Sequence, residues 1–200
     1  MYGLPQNTLI NKPLYKKAVF EKFNLKAAER DRFDADISPM ALVARVSSAT
    51  VPALTKGKEI EGFYVLQVAL KRKDYDSKNI LMLQKLIPQK LIFALQFDEQ
   101  TQFCIFHTQL QQSAWMPTNE AAIPLQGLSL DDVWNNIVAT IGGLDAQADE
   151  TIEEQIIHRE QRDKLLRQIE LLEKKCRTEK QTRRKYELHQ QIVKLKEQLE

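Results

Sequence analysis

Residues 60–70 read IEGFYVLQVAL, and this stretch decides the fold of the first part of the chain. In an extended segment alternate side chains lie on opposite faces, so these residues divide into two sets. One face is fully apolar and the other is mixed. The first face has Tyr64, Leu66, Val68 and Leu70, and the second has Phe63, Val65, Gln67 and Ala69. This alternation predicts a strand inside a sheet.

Two further strands follow after a helix. The segment from Ser77 to about Pro88 places Ile80, Leu83 and Leu86 on one helical face, with Ile87 beside them. Residues 91–97 (LIFALQF) and 101–108 (TQFCIFHT) are strand-like and are joined by Asp98-Glu99-Gln100. Strands separated by three polar residues predict an antiparallel hairpin.

The flanks complete an α+β domain. Asn11-Lys12-Pro13 is expected to open a helix, because proline is favourable at a first helical position. A second short helix is predicted over residues 25–33, a strand over 41–46, and a loop over 47–58. Trp115 and Met116 suggest an edge strand. Ser129 with Asp132 forms a capping box for a helix that Gly142-Gly143 ends. The predicted order is α-α-β-β-α-β-β-α around a mixed sheet.

The composition changes after residue 145, which predicts a globular domain over 1–145 and a charged helical tail over 146–200. The tail has no Gly or Pro after Thr151. Apolar residues recur in it at spacings of four and three, as in a coiled-coil seam. The seam residues are Leu165, Ile169, Leu172, Cys176, Leu188, Ile192, Leu195 and Leu199. The two runs are out of register, so the tail is either an antiparallel helical hairpin or one long coiled-coil helix.

Charge and compartment exclude several classes of protein. The net charge of the 200-residue chain is +2, which is neither that of a polyanion mimic nor that of a strongly basic nucleic-acid binder. The N-terminal residues have no signal-peptide pattern, and no apolar run could span a bilayer. Cys104 and Cys176 are expected to be reduced thiols. We therefore expect a cytoplasmic protein that does not enter a membrane.

The densest charge lies in the tail. Seven Lys and Arg fall within 12 residues and are opposed only by Glu179. They are Lys174, Lys175, Arg177, Lys180, Arg183, Arg184 and Lys185. In a hairpin they would gather at its tip, where they could contact a partner protein or a nucleic-acid backbone. The alternative is a solvated helix surface. A second basic run, Lys71 to Lys73 with Lys78, fits a strand-to-helix loop.

Catalytic patterns are weak. A metal-dependent nuclease would need two acids and a lysine on adjacent strands. Asp34, Asp36, Glu59 and Glu61 are the acids near strands, and Lys71 is the available lysine. Gln67 and Ala69 occupy the strand positions at which such a nuclease site would need an acid. No catalytic residue, metal ligand or cofactor site is predicted, because no Cys or His has metal spacing and no nucleophile or phosphate-loop motif is present.

Four segments resemble the bacterial family known as domain of unknown function 4391. They are LPQNTLINKPLYKKAVFEKF (4–23), IEGFYVLQVALKRKDYDSKNILMLQKLIPQKLIFALQF (60–97), TQFCIFHT (101–108) and LEKKCRTEKQTRRKYELHQQIVKLKEQLE (172–200). The resemblance implies no defined chemistry. It implies a setting beside helicases and DNA methyltransferases in restriction-modification-like or defence clusters, and hence an accessory role.

Three functions stay open from the sequence. The first is a non-enzymatic interaction module that assembles through the coiled-coil tail, with homo-oligomers included, and contacts a partner protein or nucleic acid at the basic tip. The second is a cryptic metal-dependent nuclease-like subunit. The third is a small-molecule or nucleotide-binding regulator that uses a sheet face.

Overall fold

The computed structural model describes residues 1–145 and 150–199. The chain divides into two compact units, Met1–Ala148 and Asp149–Glu200, here called the sheet unit and the hairpin unit. The boundary predicted after residue 145 falls on 146–149, which lie outside the described residues. No helix among the described residues has both the length and the apolar character that a bilayer crossing requires.

The described part of the sheet unit contains four α-helices and seven β-strands, which confirms the predicted α+β class. The helices are α1 (Lys16–Lys22), α2 (Ala27–Asp36), α3 (Ser77–Leu86) and α4 (Leu130–Gly142). The strands are β1 (Leu9–Leu14), β2 (Ile37–Ser47), β3 (Gly62–Leu70), β4 (Leu91–Phe97), β5 (Gln100–Phe106), β6 (Leu110–Gln112) and β7 (Met116–Pro117).

The sheet is mixed, as predicted. Its strand order is β1-β2-β3-β4-β5-β6, and β7 also pairs with β5. The pair β3 and β4 is parallel, with Tyr64 opposite Leu91, and α3 makes the crossover that a parallel pair needs. The other described pairs are antiparallel, including the predicted β4–β5 hairpin, in which Phe97 lies opposite Gln100.

Helices cover both faces of the sheet. On one face, the alternate residues Leu66, Val68 and Leu70 of β3 pack in a core with residues of α1, α2 and α3. On the other face, Phe63 meets Trp134 of α4 at a ring-centroid distance of 5.6 Å. The mixed alternation of β3 therefore reflects two differently covered faces.

The N-terminal helix was predicted to begin too early. Residues 9–14 form the edge strand β1, in which Pro13 lies opposite Ala41, and α1 begins only at Lys16. Proline is tolerated here because β1 pairs on one side only, so its missing N–H is not needed on the other. The predicted edge strand at Met116 is present, and β6 was not predicted.

Helix α4 begins with the predicted capping box. Ser129 accepts from the N–H of Asp132, and Asp132 accepts from the N–H of Ser129. Gly143 ends the helix in the left-handed conformation, with φ of 60°. A further contact was not predicted: the Asp131 carboxylate accepts from the backbone N–H groups of Lys58 at 2.6 Å and Ile60 at 2.8 Å. This contact fixes the long β2–β3 loop to α4.

The hairpin unit consists of α5 (Ile152–Thr178) and α6 (Thr182–Glu197), which pack together. The three-residue turn between them makes the helices antiparallel. Cys176 contacts the carbonyl of Lys185 across the turn at 3.7 Å, and Lys196 pairs with Glu173 at 2.9 Å. The hairpin is thus the alternative that the structure adopts.

Candidate nucleic-acid interface at the hairpin tip

The seven predicted cations lie around one turn. They fall on the end of α5, the connecting residues and the start of α6, and all seven side chains are exposed. Residues 174–185 are called the basic tip from here on. A cluster that is contiguous in sequence stays contiguous in space because the chain reverses in its middle.

Two of the seven cations form ion pairs with described residues. Lys174 pairs with Glu170 at 2.8 Å, and Arg183 pairs with Glu187 at 3.3 Å. The hydrogen bond from Lys174 lowers the pKa of the Glu170 carboxyl. Within the described residues, no ion pair involves the other five cations of the tip, which are Lys175, Arg177, Lys180, Arg184 and Lys185.

The start of α6 reinforces the positive field. Its first turn has no acidic residue, and Gln181 at the N-cap position makes no side-chain capping bond to the helix. A helix N-terminus carries partial positive charge, so Arg183 and Arg184 lie where the dipole disfavours them. The first-turn N–H groups and these two side chains both favour binding of an anion at the tip.

A cleft of about 690 Å³ opens at the turn. Its cationic lining is Lys175, Lys180 and Arg184, and the uncharged Thr178 and Gln181 line it as well. Sequence reasoning missed these two polar residues, because an uncharged side chain adds nothing to a charge count. Glu179 and Glu187 also line the cleft, so the positive field is strongest away from them.

The residues predicted to form the seam lie at the interior of the hairpin or at its margin. Ile169 and Ile192 are buried, each with 6% of its surface exposed. The remaining seam residues are half-buried; they are Leu165, Leu172, Cys176, Leu188, Leu195 and Leu199.

The acids considered for a nuclease site do not converge. Glu61 precedes β3 and Lys71 follows it, so about 30 Å of extended chain separates them. Glu61 pairs with Lys56 at 2.5 Å, and Asp34 pairs with Lys16 at 2.5 Å. No group of three or more His, Cys, Asp or Glu within the described ranges could hold a metal ion.

Asp36 lies beside Lys71, but its carboxylate is already engaged. Its side chain is 1% exposed and forms an ion pair with Arg72. The second oxygen accepts from the Asn79 amide at 2.8 Å and from the backbone N–H of Asp76 at 2.9 Å. These bonds hold the β3–α3 loop against the end of α2, which is a structural role.

The second basic run is also tied into the sheet unit. Arg72 pairs with Asp36, while Lys73 donates to Gln100 at 2.7 Å and lies 5.1 Å from the centre of the Trp115 ring. These contacts agree with the interpretation of this run as a strand-to-helix loop.

One sheet face is open where β1, β2 and β3 meet. A groove of about 720 Å³ is lined there by apolar side chains such as Leu9, Ile10 and Val43. Gln67 and Ala69, the positions where a nuclease would need an acid, lie in this groove. Gln67 donates to Gln96 at 2.7 Å, and Gln96 donates to Tyr2 at 3.0 Å.

A partly buried polar cluster lies around Tyr75. Its hydroxyl donates to Gln102 at 2.9 Å, accepts from Gln112 at 2.6 Å and lies 3.6 Å from the Cys104 thiol. Burial raises the pKa of Cys104 to about 12, so the thiol stays protonated at neutral pH and is a poor nucleophile. Cys104 and Cys176 are both free.

A family model described as Domain of unknown function (DUF4391) matches residues 2–199. No curated protein and no solved structure matches the chain.

Proposed function

Since the chain belongs to the family of domain of unknown function 4391, which has no assigned activity, we propose a function from the geometry of the hairpin. The protein is a non-enzymatic nucleic-acid-binding module, and its basic tip binds the phosphate backbone. It acts as an accessory subunit of a DNA-processing system, and the sheet unit is the part that docks a partner protein.

The observation that carries this proposal is the clustering of seven exposed cations at one turn, five of which form no ion pair with the described residues. Residues 174–185 contain seven Lys and Arg but only one Glu. Phosphates are the anions that such a surface attracts most strongly, because each neutralised phosphate releases condensed counterions. Arg183 and Arg184 also destabilise the start of α6 through the helix dipole, so a contribution to stability does not explain their positions.

The test is a salt titration of the affinity of the full chain for labelled duplex and single-stranded DNA. We expect the logarithm of the binding constant to fall linearly with the logarithm of salt concentration. If the five cations without a described ion pair all contact phosphates, the slope on duplex DNA is about −4 to −5. The triple change Lys175→Gln, Lys180→Gln and Arg184→Gln should make that slope shallower by about 2.7.

The matched control removes three cations from the same unit outside the tip: Arg162→Gln, Arg167→Gln and Lys194→Gln. It has the same net charge as the tip variant and should keep the parental slope. Equal weakening by both variants would mean that net charge, and not the tip, controls binding. Absence of binding at low salt would overturn the proposal.

The nuclease-like alternative is tested in the same reactions. With Mg²⁺ or Mn²⁺ added, the DNA is expected to remain intact. Cleavage that is lost on Glu61→Ala or Lys71→Ala would overturn the non-enzymatic proposal in favour of the alternative.

A further inference from the structure

A row of side chains crosses one end of the sheet. The strand register places Arg45 of β2 opposite Tyr64 of β3, and Tyr64 opposite Leu91 of β4. The antiparallel pairing of β4 with β5 continues the row to Phe106. Residues that lie opposite each other on neighbouring strands share a face of the sheet, so all four side chains lie on the face that α1, α2 and α3 cover.

The aromatic members of this row are not fully covered. Leu91 is 1% exposed, whereas Phe106 beside it is 36% exposed and Tyr64 on its other side is half-buried. The Arg45 guanidinium lies 5.7 Å from the centre of the Tyr64 ring, and within the described residues its side chain forms no ion pair or hydrogen bond. The two rings are two strands apart, which is about 10 Å at the backbone.

A cleft of about 510 Å³ opens at this end of the sheet. Arg45, Tyr64 and Phe106 line it, together with the polar side chain of Gln89. The charged residues of the lining balance, with His107 neutral, because they are Arg45, Lys90, Glu59 and Glu61. A cleft with no net charge attracts a polyanionic backbone only weakly, so its aromatic rings and amide suit a flat, uncharged group with polar edges.

We propose that this cleft binds an unpaired base of a single-stranded nucleic acid. Such a base offers a flat face that stacks on the Phe106 ring and on the Arg45 guanidinium, and polar edge atoms that reach the amide of Gln89. Bases inside a duplex are paired and stacked on their neighbours, so they cannot enter a cleft without leaving the helix. The cleft therefore adds a preference for single strands to the phosphate binding proposed at the basic tip.

This inference rests on the proposed function, because one stacked base gives little affinity by itself. A strand whose phosphates are held at the basic tip presents its other bases at about millimolar effective concentration, provided that it is long enough to reach the cleft. Under that condition, stacking of one base should raise the affinity for the strand about tenfold.

The test compares two long single strands with the same number of phosphates, an oligothymidylate and its abasic counterpart. We expect the full chain to bind the oligothymidylate about tenfold more tightly, because only that strand carries bases. Phe106→Leu should remove the difference, since leucine is apolar but has no ring, whereas Phe106→Tyr should keep it. The matched control Tyr15→Leu removes a ring that is 74% exposed and lies outside the cleft, and it should also keep the difference. Fluorescence of Trp115 and Trp134 checks that each variant retains its folded sheet unit.

The cleft and the basic tip can fail separately in this experiment. Equal affinity of the parent for the two strands, or a difference that survives Phe106→Leu, would overturn the inference. Neither result would affect the proposed function, which predicts that the abasic strand binds and that the triple change in the tip weakens its binding. An oligothymidylate that binds while the abasic strand does not would overturn the tip and support the cleft. If neither strand binds, both proposals are wrong.

Discussion

The sheet unit and the hairpin unit are stabilised by different interactions. The largest fully buried side chains, including Trp134, Phe33, Phe63 and Phe93, belong to the sheet unit. In the described part of the hairpin, the helices bury three isoleucines, Ile156, Ile169 and Ile192. Against these three buried side chains, residues 151–200 contain 23 charged residues, so charged side chains dominate the hairpin unit.

This difference shows where each unit is sensitive to change. A unit stabilised by burial responds to lost volume and to unpaired buried groups, and it responds little to salt. A unit stabilised by helix propensity, narrow packing and exposed charge responds weakly to single truncations and strongly to ionic strength. The following changes test this contrast, beginning with the largest expected effect.

The largest effect is expected from a cavity in the sheet unit. Phe93 is fully buried, so Phe93→Ala should lower the free energy of unfolding by about 3–5 kcal/mol. In the hairpin, Ile192→Ala should cost about 2 kcal/mol. Urea denaturation can separate the two units, because Trp115 and Trp134 report on the sheet unit and far-ultraviolet circular dichroism also reports on α5 and α6. Equal losses from the two changes would contradict the contrast.

The next effect concerns the buried carboxylate. Asp36→Asn replaces one acceptor oxygen by a donor, so one or more of its three partners loses its hydrogen bond. The loss should be about 3 kcal/mol in chemical denaturation. The control is Arg72→Gln, which leaves both other donors in place and removes a side chain that is 56% exposed. If Arg72→Gln costs as much as Asp36→Asn, the exposed ion pair, and not the buried network, stabilises this end of the sheet.

A smaller effect is expected at the β2–β3 loop. A Cβ at Gly57 would lie 2.1 Å from the Asp131 carboxylate and 2.8 Å from the Ile60 carbonyl. Gly57→Ala should therefore cost about 2 kcal/mol, as overpacking does. The double variant with Asp131→Ala should cost less than the sum of the single changes, because the carboxylate has already been removed. Additive losses would show that the backbone contact dominates.

The same carboxylate gives the sheet unit a pH dependence. Desolvation raises the pKa of Asp131, but the backbone N–H groups of Ile60, Lys58 and Glu59 outweigh it and hold the pKa below its ordinary value of 3.8. The ionised form is thus favoured in the folded state. Its stabilising contribution is complete above the ordinary pKa and is lost as the pH falls through the lowered one. Asp131→Asn should flatten the acid limb of a stability–pH curve, and an unchanged limb would contradict this.

Local signals in the sequence predicted most of the fold. The alternation in β3, the polar turn between β4 and β5, and the capping box at Ser129 each depend on residues close together in the chain. Pro13 misled the prediction, because proline fits both the start of a helix and an edge strand, and only the strand partner decides between them. Asp36 and Asp131 act on residues distant in sequence, so no local pattern could reveal their roles.

The candidate site was predictable for a similar reason. Its seven cations are close together in sequence, and the turn at residues 179–181 keeps them close in space however α5 and α6 pack. The hairpin itself had to be chosen between two alternatives, since the tail lacks the Gly or Pro that usually marks a break. Here the shift in apolar register between the two runs was the signal that the structure bears out.

The smallest effect is expected from the ion pair that joins the hairpin helices. The hydrogen bond from Lys196 lowers the pKa of Glu173, but the lysine side chain is 57% exposed, so water and salt screen the pair. A double-mutant cycle with Glu173→Gln and Lys196→Gln should give a coupling well below the effect of Ile192→Ala. That coupling should vanish at high salt, because exposed charges are screened over short distances. A coupling that survives high salt would mean that this end of the hairpin is covered, as it would be in an assembly, and the contrast between a buried unit and an exposed one would then apply only to the isolated chain.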